Sequence, residues 1–148
     1  MINDFEKKLF DMDTAAKAAG CPFPTLASWR LRGGLFKDTV TGTKHSKFFS
    51  VTEICVTRAV KVLTSAGVST KDAIEALDYA PVHLQFFALL QGAAVSNLFG
   101  YHRDDKKGFF FDPKDHFGEI LSKAGGVIIV IDLAAVVDHV RTALQIKE

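Results

Sequence analysis

Four histidines in the second half of the chain, His83, His102, His116 and His139, with His45 in the first, are the side chains best suited to bind a metal or shuttle a proton. Their spacing supports neither, because no HExxH or similar grouping occurs and scattered imidazoles usually occupy surface or satisfied core positions. The densest ionisable group is Asp112, Asp115, His116 and Glu119. Such a group suits acid–base chemistry, but acidic residues at the start of a helix are also what its unpaired N–H groups select. Cys21 and Cys55 have no CxxC partner and read as buried free thiols rather than zinc ligands or a disulfide framework. Gly125-Gly126 before an apolar run lacks the GxxxxGK(S/T) or strand-first GxGxxG pattern of a phosphate loop. No catalytic residue, metal or cofactor is therefore expected, and the chain does not read as an enzyme.

The cations point to a different chemistry. Net charge is only +1, yet residues 1–77 hold 11 Lys and Arg against 8 Asp and Glu, and the remainder holds 7 against 9. Between Thr25 and Ser50, Arg30, Arg32, Lys37, Lys44 and Lys47 face only Asp38, with His45 as a further cation. A local excess of this kind, rather than overall charge, is the electrostatic footprint of a module that binds phosphates.

The elements that must position these cations follow from pattern and punctuation. Asp13 to Gly20 predicts a two-turn Ala-rich helix, capped by Asp13 and ended by Gly20 in the left-handed conformation. Pro24 suits the first turn of a second helix, Thr25 to Arg32, which stops at Gly33-Gly34. From Leu35 to Phe49, β-branched and aromatic residues flank Thr41-Gly42-Thr43, predicting two short strands joined by a polar tip. Ser50-Val51-Thr52-Glu53 fits a capping box and starts a long helix with Val51, Ile54, Cys55, Ala59, Val62, Leu63 and Ala66 on one face, ending at Gly67. Ser69 opens a short helix through Leu77, and Asp78-Tyr79-Ala80-Pro81 marks a boundary.

Beyond that boundary Val82–Leu90 reads as a helix, Ala94–Tyr101 as a strand without decisive period, and residues 104–108 as a charged turn. Phe109-Phe110-Phe111 reads as a buried strand, Asp115–Ala124 as a helix, Val127–Ile131 as a strand and Leu133–Leu144 as an amphipathic helix. A single helix from Val127 to Leu144 is the alternative.

Helix, tight turn, helix, hairpin, helix is the order of a winged helix-turn-helix, whose second helix enters the major groove. The run Thr14 to Gly20, then Thr25-Leu26 with Trp29-Arg30 and Gly34-Leu35, then Lys47-Phe48-Phe49-Ser50, then Ala66-Gly67-Val68-Ser69 with Ile74 and Leu77, resembles the MerR-family DNA-binding domain over about residues 12–78. The resemblance implies a bacterial transcriptional regulator in which Thr14, Thr25, Ser28 and Trp29 lie on or beside the DNA. It also implies that Arg30 and Arg32 approach phosphates and that Lys44, His45 and Lys47 contact DNA from the wing. Lys47 stands where the family usually has an arginine, and Ala27 where many members place an arginine that reads a base edge. No cysteine follows Cys55, which disfavours the family's metal and redox sensors. Pro81 interrupts the chain where the family's long dimerisation helix would run.

The expected architecture is α+β: a MerR-like winged helix-turn-helix over residues 1–78 and a small α+β domain over residues 79–148 that dimerises or senses a small-molecule effector. With 48% hydrophobic residues the chain folds; with no apolar run of about 18 residues and no leader-like N-terminus, it is expected in the cytoplasm, associated with the nucleoid. The expected partner is double-stranded DNA, bound by a homodimer. An excisionase-like or phage architectural protein that bends DNA, and a protein-interaction module without DNA binding, are the alternatives.

Overall fold

A computed structural model describes residues 4–37 and 48–146. Among the described residues the chain is α+β, with seven helices and two small antiparallel sheets. The first half comprises β1 (Phe10–Asp11), α1 (Met12–Ala19), α2 (Phe23–Leu31), β2 (Phe48–Phe49), α3 (Val51–Ser65) and α4 (Thr70–Leu77). The second comprises α5 (Ala80–Leu90), β3 (Leu98–His102), β4 (Lys107–Phe111), α6 (Phe117–Lys123), β5 (Ile128–Asp132) and α7 (Leu133–Leu144).

Local chemistry explains the helix ends. Asp11, not Asp13, caps α1: its extended backbone lets Oδ1 accept from the Thr14 N–H at 2.8 Å, while Asp13 lies inside the first turn and pairs with Lys17. Gly20 ends α1 at φ +69°, a conformation open to glycine at little cost, and a Cβ there would lie 2.6 Å from the Arg58 guanidinium. Pro22 and Pro24 bracket the start of α2, where missing N–H donors cost nothing.

The helix α3 is the central element, with Val51 to Thr57, Ala59, Val60 and Leu63 all buried. This burial is supplied from several sides, since α1, α4, α5 and α7 all pack against it. Its start is closed by the expected capping box: Glu53 N–H donates to Ser50 Oγ at 3.1 Å and Ser50 N–H to Glu53 Oε1 at 2.9 Å.

The expected hairpin over Leu35–Phe49 is corrected at both described ends. Leu35–Lys37 form a turn rather than a strand, because Phe36 adopts φ +63° and gives its N–H to the Asp78 carboxylate at 2.7 Å. At the other end β2 pairs with β1 in the register Phe10↔Phe49 and Asp11↔Phe48. The tip Thr41–Thr43 lies outside the described residues.

The larger sheet has the order β4-β3-β5, antiparallel at both junctions. Phe99, Tyr101 and Ile131 point into the helical core, and α6 connects the two outer strands across the opposite face, where Phe117 meets Phe111 at 5.8 Å between ring centres. Val127–Leu144 is a strand followed by a helix, not one helix, because Asp132 caps α7 by accepting from the Ala134 and Ala135 N–H groups. One apolar core runs from Phe5 through Leu77 to Val82, Phe86 and Val140, so residues 1–78 and 79–148 share it. Among the described residues no helix is long and apolar enough to cross a membrane.

Two glycines in the larger sheet lie beneath aromatic rings. A Cβ on Gly108 would come within 2.0 Å of Phe99 Cζ, and one on Gly100 within 2.5 Å of Phe109 Cζ. Rings laid over strand glycines pin the register and cover exposed backbone. Gly108→Ala is expected to cost about 1–3 kcal/mol by forcing the Phe99 ring from its place. Gly118→Ala in α6, which meets nothing within 4 Å, should instead stabilise by about 0.5–1 kcal/mol. Urea unfolding of the two variants checks both signs.

Candidate nucleic-acid interface

The helix α2 is held from beneath. Leu26 and Trp29, three residues apart, share its inner side and are fully or nearly fully buried, and α1 packs alongside. Trp29, expected to touch DNA, is 5% exposed. Its carbonyl accepts the Leu35 N–H at 3.0 Å, and a Cβ on Gly33 would lie 2.9 Å from that same oxygen. The indole is a core anchor, because its large apolar area has more to gain from burial than from solvent.

Arg30, expected to approach phosphates, is half-buried and drawn inward. Its Nη1 donates to the Leu35 carbonyl at 3.0 Å, and its guanidinium lies 5.3 Å from the Phe49 ring centre and 5.9 Å from that of Phe36. Both separations are within cation–π range. Burial lowers the pKa of the guanidinium from its ordinary value, while Glu53 and Asp78 act to raise it.

Phe36 sits at the centre of a wider polar node. Asp78 accepts from the Phe36 N–H through one carboxylate oxygen and pairs with His83 Nε2 at 2.8 Å through the other. The Phe36 ring meets Phe49 and His83 edge-on, at 6.0 and 5.7 Å between centres. The turn that leaves α2 is thus tied to the end of α4 and the start of α5.

Ser28 and Arg32 are exposed, Thr25 and Ala27 half-buried. Thr14 is half-buried at the start of α1, where its N–H and hydroxyl hold the Asp11 carboxyl below its ordinary pKa. Lys44, His45 and Lys47 lie outside the described residues. The most exposed apolar members of α2, Phe23 at 47% and Leu31 at 76%, were not among the expected contacts. A signal for Leu31 does exist in the sequence: once Leu26 and Trp29 are assigned inward, the 3.6-residue period turns positions 24, 28 and 31 outward.

The other clusters have structural explanations. Asp112 and Asp115 cap their own turn, with Asp112 N–H donating to Asp115 Oδ2 at 2.9 Å and Lys114 N–H to Asp112 Oδ1 at 3.0 Å. Gly125 and Gly126, both at positive φ, close the end of α6. Cys21 and Cys55 are buried free thiols whose pKa is raised by desolvation. Among the described residues no three His, Cys, Asp or Glu side chains converge as metal donors. No family model and no curated protein matches the chain.

The two arginines of this segment differ in what they support. Arg30→Ala is expected to destabilise the protein by about 1–3 kcal/mol, since it removes a hydrogen bond to a buried carbonyl and two ring contacts. Arg32→Ala should change stability by no more than about 0.5 kcal/mol. Chemical denaturation of both variants distinguishes the core cation from the surface one.

Proposed function

We propose that this chain binds double-stranded DNA through α2, as a MerR-like winged helix-turn-helix, and acts as a transcriptional regulator. The observation that carries the reading is a charge asymmetry around that helix. From Phe23 to Lys37 the sequence holds Arg30, Arg32 and Lys37 and no Asp or Glu; Arg30 is turned inward, and Lys17 on α1 pairs with Asp13. Arg32 and Lys37 are exposed at the end of α2 and just beyond it, where cations neutralise phosphates and release counterions. The outward side of α2 carries no carboxylate, so nothing on it repels the phosphate backbone. Ser28 supplies a hydroxyl there, and Thr25 another at the margin.

The second half serves in this reading as the dimerising or effector-sensing unit. Dimerisation through it is supported by β5, an edge strand with the sequence Ile-Ile-Val-Ile-Asp and Val130 exposed at its centre. An apolar edge without Lys or Pro is a ready template for pairing with a second copy. A two-fold dimer would present two copies of α2 to half-sites about one helical turn apart. Sedimentation equilibrium should report a dimer for the wild type and a monomer for Val130→Lys; a wild-type monomer throughout the micromolar range would dismiss pairing at this edge.

DNA binding is tested by measuring affinity for genomic fragments between about 50 and 200 mM salt. Selective binding with a steep salt slope is expected. The doubly substituted Arg32→Ala, Lys37→Ala variant should keep its unfolding midpoint while the slope falls by about 2, or one for each phosphate no longer neutralised. Absence of salt-dependent binding by the wild type would overturn the regulator and favour a protein-interaction module.

A further inference from the structure

Leu31 is the most exposed of the large hydrophobic side chains among the described residues, at 76%, and it lies on the helix assigned above to the major groove. Pro24, Ser28 and Leu31 are spaced by four and three residues and therefore share one side of α2, with half-buried Ala27 beside them. That side carries a single polar group, the Ser28 hydroxyl. No Arg, Lys, Asn or Gln lies on it, so it lacks the side chains that read guanine or adenine by paired hydrogen bonds. Arg30 is committed to the Leu35 carbonyl and to two aromatic rings, and Arg32 follows the last helical residue.

An apolar side has one chemical match in the major groove, the C5 methyl group of thymine. From this, and resting on the DNA-binding reading above, we infer that α2 recognises its site by packing Leu31 and Ala27 against thymine methyl groups. The preferred DNA carries thymines in the major groove opposite α2, and Arg32 and Lys37 fix the helix in register through phosphates. A protein partner would also accept an apolar stripe. Arg32 and Lys37, exposed at the end of α2 and just beyond it, with no carboxylate on the outward side of the helix, favour a polyanion.

The test uses the full chain and the tightest-binding genomic fragment, prepared once with thymine and once with uracil, which differs only by the missing methyl. Removing one methyl group that packs against α2 is expected to weaken binding about fourfold, so removing two or more lowers the affinity of the uracil fragment tenfold or more. Leu31→Ala should keep its unfolding midpoint, because the side chain is exposed, and should abolish most of the discrimination between the two fragments. Leu84→Ala, on the exposed side of α5, should retain it. Equal wild-type affinity for both fragments would overturn methyl recognition while leaving DNA binding intact. Discrimination that survives Leu31→Ala would overturn its assignment to α2. Failure of the wild type to bind any fragment would overturn the inference together with the reading on which it rests.

Discussion

A buried carboxylate at the start of the central helix organises the first half of the molecule. Glu53 is 4% exposed, closes the capping box with Ser50 and forms an ion pair with Lys8 at 2.5 Å. An unpaired charge at that depth would be strongly destabilising, and these partners offset its burial at the start of α3. Thr52 continues the arrangement by donating its N–H to the Phe5 carbonyl at 3.1 Å and its hydroxyl to Glu6 at 2.9 Å, which ties the N-terminal segment to the helix. With its start closed in this way, α3 can be buried over its first two turns and serve as the post around which four other helices pack.

Two further polar groups join parts of the chain that are remote in sequence. Asp78 holds the turn after α2 through the Phe36 N–H and α5 through His83. Arg141, buried on α7, lies over the Phe5 ring and donates to the Leu90 carbonyl, linking the N-terminal segment, the end of α5 and the last helix. Groups of this kind add little net stability compared with an apolar core of the same volume, but removing one partner leaves the other buried and unsatisfied. They lie alongside the single apolar core that residues 1–78 and 79–148 share. They also give the second half a direct mechanical hold on the base of the segment that leaves α2.

The exposed surface of α2 follows from the same economy of side chains. A nine-residue helix that commits Leu26 and Trp29 to the core and Arg30 to a carbonyl and two rings has few positions left to face outward. Those positions carry methyl and methylene groups, one hydroxyl and a flanking arginine. Apart from Ser28, the outward side of α2 is apolar, and the exposed cations Arg32 and Lys37 lie beyond its last helical residue.

Much of the secondary structure is legible without coordinates, because its signals are local. The Ser50–Glu53 capping box, the glycine end of α1, the Ser69 cap of α4 and the limits of α7 each depend on residues within one turn of each other. The α+β class follows from short aromatic and β-branched runs set between segments of helical period. The side-chain roles at the candidate interface are less accessible. By spacing alone Trp29 and Arg30 could face either way on α2, and nothing local says that Phe36, Phe49 and the Leu35 carbonyl gather around Arg30. The pairing of Phe48–Phe49 with Phe10–Asp11 is hidden for the same reason, since a two-residue strand has no period to read. Sequence by itself determined which segments are helices and, at the Ser50–Glu53 capping box, Ser69 and Gly20, where they begin or end, because hydrogen-bond satisfaction at such a terminus is settled within four residues. Tertiary structure alone decided which cation faces solvent and which supports the core, because desolvation and ring contacts depend on groups brought together from distant parts of the chain.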